Sequence, residues 1–167
     1  GVPVWQRAQA PRWEAVSSAV TIGIRDIDAY ETAARERAGF EWLKVKVGRG
    51  SPLQAITAVR RGAPDARLIV DTNQSWTLDE LRQYAPSLQA LRVDLLEQPL
   101  AAGTDAGLAG YDSPVPLCAD ESLSTLDDLP ALVGRYQFVN IKLDKVGGLT
   151  SALELAAAAR AAGLRLM

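Results

Sequence analysis

Histidine is missing from all 167 residues of the chain. That absence removes Ser-His-Asp and Cys-His nucleophilic sites, histidine zinc sites and imidazole acid–base chemistry from this chain. Proton transfer must fall to lysine, carboxylate, tyrosine or cysteine. Cysteine is nearly absent too. A single Cys118 excludes an internal disulfide and fits a reducing cytosol. Nothing flanking it is an obvious base, so it reads as a small buried hydrophobe on a strand. No apolar run approaches the roughly 20 residues that span a bilayer, and no signal-peptide pattern opens the chain. Charge of one sign is also lacking. A formal net charge of -2 gives no electrostatic reason to expect nucleic acid or an anionic membrane as partner. A cytoplasmic protein is the expectation these gaps leave.

What is present is an ordinary globular balance, 48% hydrophobic and 23% charged, in a length sufficient for one domain with a sizeable core. Short β-rich runs alternate with helical patterns. Strands are expected at 19–24, 42–47, 67–71, 93–97, 117–120 and 138–142, with 164–167 as one more, cut short. Helices are expected at 26–38, stopped by Gly39, at 52–61, and at 77–88, 126–134 and 150–162. Ser51-Pro52 suits an N-cap followed by proline at the first helical position. Thr77 with Glu80 three residues on is a capping-box signature. The glycine-rich stretch 101–113 carries no clear pattern.

The strand ends recur every 22 to 26 residues, the signature of a parallel sheet with helical crossovers. A doubly wound sheet and a (β/α)8 barrel both have that period. No glycine-rich phosphate fingerprint follows the first strand, which weakens the first. The fold class expected is α/β, an incomplete (β/α)8 TIM-type barrel whose active residues sit at the C-terminal strand ends. Seven strands do not make eight, and the chain opens on Gly1-Val2-Pro3. A fragment of a larger protein is therefore expected, one that lacks an N-terminal segment and the last βα unit. Its two open sheet edges need a covering segment.

Three carboxylates end successive strands: Asp71, Glu97 and Asp120. A lysine stands on a strand at either side, Lys46 and Lys142. Strand-end acid belongs at a rim, because an unpaired charge in a core is very costly. Three carboxylates without His or Cys describe a hard oxygen site suited to Mg2+. A substrate carboxylate on that ion would have its α-proton acidified. One lysine would take the proton from one face and the other return it to the opposite face, inverting a stereocentre. Lys44, two residues from Lys46, points the same way. The two ammonium groups are expected to depress at least one pKa, as a base working near neutral pH requires. Each charge taken alone has a plainer reading as a helix cap, a solvated stripe or a loop charge; it is their common register that points to a site.

The segments Leu43-Lys44-Val45-Lys46-Val47-Gly48, Asp71-Thr72-Asn73-Gln74-Ser75-Trp76, Glu97-Gln98-Pro99, Asp120-Glu121-Ser122 and Asn140-Ile141-Lys142-Leu143-Asp144-Lys145-Val146-Gly147-Gly148 together resemble the enolase superfamily. The likeness is to its muconate-lactonizing subgroup, and within that to the dipeptide epimerases. The resemblance implies that Asp71, Glu97 and Asp120 bind Mg2+, and that Lys46 and Lys142 are the two acid–base groups. It implies that Lys44 orients the substrate carboxylate, that Asn73 supports the metal ligands from behind, and that Thr21 touches substrate. The substrate implied is a small carboxylate, a dipeptide of the Ala-Glu type, epimerised by two-base 1,1-proton transfer through a metal-stabilised enolate.

Residues 1–15 would then be a remnant of a linker or capping region, and 16–167 a partial barrel. The complete protein is expected to be a homo-oligomer. Members of the family close a capping domain over the site, and dipeptide epimerases carry an Asp-x-Asp at the eighth strand. On this reading the chain would hold only a remnant of the first and not the second, so muconate or chloromuconate cycloisomerase and o-succinylbenzoate synthase remain alternatives. A reading of another class also remains: a non-catalytic barrel fragment that needs a partner segment, because without a lid to exclude water the isolated piece should be poorly active.

Overall fold

A computed structural model describes residues 1–8 and 15–167. The boundary expected at residues 15 and 16 adjoins residues outside that set. A short helix α1 (Val4–Arg7) comes first. The repeat then runs β1 (Ala19–Ile22), α2 (Ile27–Arg35), β2 (Trp42–Lys46), α3 (Pro52–Gly62), β3 (Arg67–Asp71), α4 (Leu78–Ala90) and β4 (Val93–Glu97). It continues through β5 (Leu117–Ala119), α5 (Leu129–Leu132), β6 (Phe138–Val139), α6 (Leu149–Ala161) and β7 (Arg165–Leu166). The seven strands form one sheet in sequence order, each parallel to the next. The sheet curls into an incomplete barrel with its helices outside, as the period implied. Among the described residues no helix is long and apolar enough to cross a membrane.

Strand alternation splits the side chains between two faces. The outer face carries Leu43, Val45, Leu68, Val70, Leu96 and Leu117, all at zero exposure and packed in one core with the helices. Each such leucine or valine contributes about 1.5–3 kcal/mol on burial, so this layer holds the fold. A smaller inner cluster holds Ile69, Leu95 and Cys118, flanked by Ala19, Trp42 and Phe138. The helices α2 and α3 pack so closely that a Cβ on Gly62 would stand 2.3 Å from the Glu31 carbonyl oxygen. Only glycine fits at that crossing.

A β-bulge at Asp94 puts β4 in phase. Leu68 pairs with Val93, but Ile69 pairs with Leu95. Without that extra residue Val93, Leu95 and Glu97 would share one face; with it, Val93 joins the outer core while Leu95 and Glu97 turn inward. The Asp94 carboxylate holds the bulge by accepting from the Leu68 N–H at 2.9 Å.

Several elements are shorter than the sequence pattern suggests. Strands β1, β5 and β6 stop early, so Asp120 and Lys142 lie just past strand ends rather than on strands. The helix expected over 126–134 is a 3-10 turn, Leu126–Asp128, followed by the single turn of α5. Asp128 spends its carboxylate on the Ser124 and Thr125 N–H groups at 2.9 and 2.8 Å. The chain then leaves the helix through Val133 and Gly134, whose φ is +79°. The stretch 101–113 contributes one 3-10 turn, Asp105–Leu108.

Candidate active site

The sheet register sets Lys46, Asp71 and Glu97 side by side across β2, β3 and β4, with Thr21 and Lys44 one row below. Asp71 and Glu97 are almost fully buried, at 1% and 0% exposure. Lys44 serves both: its Nζ lies 3.0 Å from Asp71 Oδ2 and 2.5 Å from Glu97 Oε2. These are close ion pairs without hydrogen-bond angles, and both oxygens lack a directional donor. Lys46 Nζ is 3.5 Å from Asp71 Oδ2 and donates to Asn73 Oδ1 at 3.0 Å. Asn73, at a left-handed φ of +45°, donates its N–H to Asp71 Oδ1 at 3.0 Å. Asn140 Nδ2 donates to Glu97 Oε1 at 2.9 Å.

A second group gathers at β5 and β6. Asp120, 1% exposed, pairs through Oδ2 with Lys142 and through Oδ1 with Lys145 at 2.7 Å. Lys145 also donates to the Asp120 carbonyl oxygen. The side-chain pairing therefore falls into two sets: Lys44, Lys46, Asp71, Asn73, Glu97 and Asn140 in one, and Asp120, Lys142 and Lys145 in the other. Among the described residues no three carboxylate, His or Cys side chains are drawn together at metal-binding distances. Thr21 is exposed at the inner end of β1, in register with Lys44.

Electrostatics separate the two sets. Burial raises the Glu97 pKa and the Asp71 charge raises it further, against the opposing pull of Lys44 and Asn140. Burial pushes Asp120 upward too, but hydrogen bonds from Lys142 and Lys145 outweigh it and hold its pKa below the usual value. The expectation that Lys44 and Lys46 would lower one another's charge fails for Lys44. Burial does work to lower its pKa, yet Glu97 and then Asp71 raise it overall. Two carboxylates within 3.0 Å outweigh burial. The Lys142 pKa is likewise raised, because Asp120 outweighs the effect of burial.

Three participants have no role assigned by the sequence reading: Lys145, Asn140 and Gln98. Asn140 carries a faint signal, since it stands two residues before Lys142 and thus on the same side of an extended chain. Lys145 reads as part of a loop charge cluster, and only the turn at 143–147 returns it to Asp120. Cys118 is fully buried, and burial sets its thiol pKa well above the ordinary value.

Comparison with known proteins places the chain as a whole. A family described as "Enolase C-terminal domain-like" matches residues 28–167. The L-Ala-D/L-Glu epimerase of Escherichia coli (strain K12) is 46% identical over 94% of this chain and 49% of its own length. An N-acetyl-D-glutamate racemase of a Pseudoalteromonas species is 49% identical over 75% of this chain and 40% of its own. A solved L-Ala-D/L-Glu epimerase superposes with a TM-score of 0.89 at 44% identity, covering 97% of this chain and 52% of that one. A dipeptide epimerase from Enterococcus faecalis V583, solved with Mg and L-Leu-L-Tyr, gives 0.80 at 32% identity, over 91% and 45% of the two chains. The chain thus spans about half the length of the curated relatives it matches. On its match over residues 28–167 and on these identities, it belongs to the enolase C-terminal domain-like family.

Proposed function

We propose that the protein containing this chain is a cytoplasmic isomerase that epimerises the α-carbon of a dipeptide of the Ala-Glu type by two-base proton transfer. The observation that carries this reading is the placement of two lysines, Lys46 at the end of β2 and Lys142 past the end of β6, on either side of buried carboxylates. One lysine removes the α-proton and the other delivers a proton to the opposite face. Lys44, at the centre of the negative charge, orients the substrate carboxylate.

Mg2+ fits the donor set. Asp71 Oδ2 and Glu97 Oε2 are buried oxygens without a directional donor, and oxygen-only donors suit a hard cation. Asp71, Glu97 and Asp120 would hold it, with Asn73 bracing Asp71 from behind. Bound there, it would supply positive charge that stabilises the developing negative charge on the substrate carboxylate. Asp120 would then be shared with Lys142 and Lys145. That sharing ties the charge of the proton-carrying lysine to the same carboxylate.

A second reading follows from the N-acetyl-D-glutamate racemase relative. Its substrate class also presents an acylated α-amino acid with a free carboxylate, so the same lysines serve. Incubating the full-length protein with L-Ala-L-Glu or N-acetyl-D-glutamate in D2O with Mg2+ separates the readings. Deuterium at the α-carbon with appearance of L-Ala-D-Glu is the expected result. Exchange only in N-acetylglutamate would favour the racemase, and exchange in neither would remove both.

A further inference from the structure

The geometry points to Gln98 as a positioning residue: its buried side-chain amide fixes the Asp120 turn against the strand that carries Glu97. The inference rests on the metal-site reading above, in which Asp71, Glu97 and Asp120 act together. Gln98 directly follows Glu97, is fully buried, and has φ +38°. A left-handed glutamine is a strained conformation that persists only where its surroundings demand it.

The demand comes from the end of the β4–β5 ladder. Glu97 and Cys118 form its last register pair, and the Gln98 N–H donates to the Cys118 carbonyl at 2.8 Å. Beyond that point no strand among the described residues accepts from the Asp120 or Ser122 N–H groups. Gln98 Oε1 accepts from both, at 2.8 and 3.1 Å. A side chain thus continues the pairing that the backbone has stopped supplying, and it does so at the residue bearing the third carboxylate.

The other end of the amide is equally committed. Nε2 donates to the Leu100 carbonyl at 2.8 Å, to Ser122 Oγ at 2.8 Å and, more weakly, to the Tyr136 hydroxyl at 3.3 Å. Ser122 and Tyr136 each spend their one hydroxyl proton on Asp105 Oδ2, at 2.7 and 2.9 Å. Their oxygens are therefore free to accept from the amide. Arg135 closes the network on Asp105 Oδ1 at 3.1 Å. Reversing the amide would set nitrogen against two N–H donors and oxygen against a carbonyl, so only one orientation is consistent. A fully satisfied buried network of this kind has no member free to turn.

Asp120 needs such a hold, because Lys142 and Lys145 both draw on its carboxylate. Metal ligands must be placed to within about 0.2 Å. Anchoring the Asp120 backbone to the residue after Glu97 sets the spacing of the two carboxylates without occupying either.

The test replaces Gln98 by methionine, which keeps the length and removes the polar atoms. In full-length Gln98→Met, hydrogen exchange at the Asp120 and Ser122 amides should accelerate at least about tenfold, since their acceptor is gone. Val45 and Val70, in strands the network does not touch, should keep their protection. The Kd for Mn2+ should rise about 10–100-fold. Saturating Mn2+ should restore turnover with the dipeptide KM unchanged, a pattern that general unfolding would not give. Unchanged exchange at both amides, or Mn2+ affinity equal to that of the natural protein, overturns the proposal. If the natural protein binds no Mn2+, the metal reading fails and exchange alone decides the role of Gln98. Should Gln98→Met not fold, Tyr136→Phe serves, with the same two amides expected to exchange at least about threefold faster through the weakened network; no change there also overturns it.

Discussion

On β2, Trp42 lies on the floor of the inner face and Lys46 at its rim, on the same side of the same strand. The neighbouring strands repeat the step, from Ile69 to Asp71, from Leu95 to Glu97 and from Cys118 to Asp120. The floor is apolar and aromatic, with Arg67 stacked 4.0 Å from the Trp42 ring and Arg165 4.3 Å from that of Phe138. It borders a cavity of about 730 Å³ lined in part by Trp42, Ile69, Leu95, Phe138 and Met167. The rim instead packs buried carboxylates so near each other that Asp71 adds to the rise in the Glu97 pKa. Repelling charges at the rim work against folding, and the outer core must offset them. The difference teaches that the outer layers carry stability while the rim concentrates charge, the division expected under the function proposed above.

The largest expected effect breaks the rim alone. Lys46→Ala and Lys142→Ala should each lower L-Ala-L-Glu epimerisation about 10²–10⁴-fold, the range for losing an acid–base group. Both side chains are partly exposed, at 37% and 43%, so the thermal midpoint should hardly move. Each variant should keep α-proton exchange from one face only, read by NMR in D2O as exchange without inversion. Full activity in either variant would refute the two-base assignment.

A second pair of substitutions compares the layers that carry stability. Leu96 points outward into the helix-packed core at 0% exposure, whereas Leu95 points inward beside the cavity at 5%. Leu96→Ala should cost about 3–5 kcal/mol in denaturant unfolding, and Leu95→Ala nearer about 2 kcal/mol, because a side chain beside open space has fewer contacts to lose. Equal costs would mean that the floor is packed as well as the outer core.

The repeat was legible in the sequence because each strand is a short apolar run between helix signals. The cap at Thr77 was legible for a similar reason, since Thr77 and Glu80 bond reciprocally within four residues at 3.2 and 2.7 Å. Features that depend on contacts across the fold were not. The bulge at Asp94 exists because the carboxylate finds Leu68 on another strand, and nothing in the order Val93-Asp94-Leu95 announces it. The helix expected over 126–134 breaks because Asp128 turns back to cap Ser124 and Thr125, a competition that helical pattern alone does not weigh. At the rim, the spacing of residues named the charged groups but not their partners. Lys145 reaching Asp120 from 25 residues away, and Gln98 completing a strand with its side chain, are consequences of the curled sheet.

The smallest expected effect lies on the floor, at Arg67. Its guanidinium stacks on Trp42 and meets Asp94 Oδ1 at 3.0 Å, but its side chain is 52% exposed, so solvent screens the pair. Arg67→Ala should therefore cost only about 0.5–1 kcal/mol in denaturant unfolding. Asp94→Ala should cost more, about 1–3 kcal/mol, because it leaves the Leu68 N–H without its acceptor at the bulge. Since the bulge turns Glu97 inward, Asp94→Ala should also weaken Mn2+ binding while Arg67→Ala leaves it unchanged. Isothermal titration of both variants reads that contrast directly. Equal loss of Mn2+ affinity in the two would show that the floor sets the rim through charge rather than through strand phase.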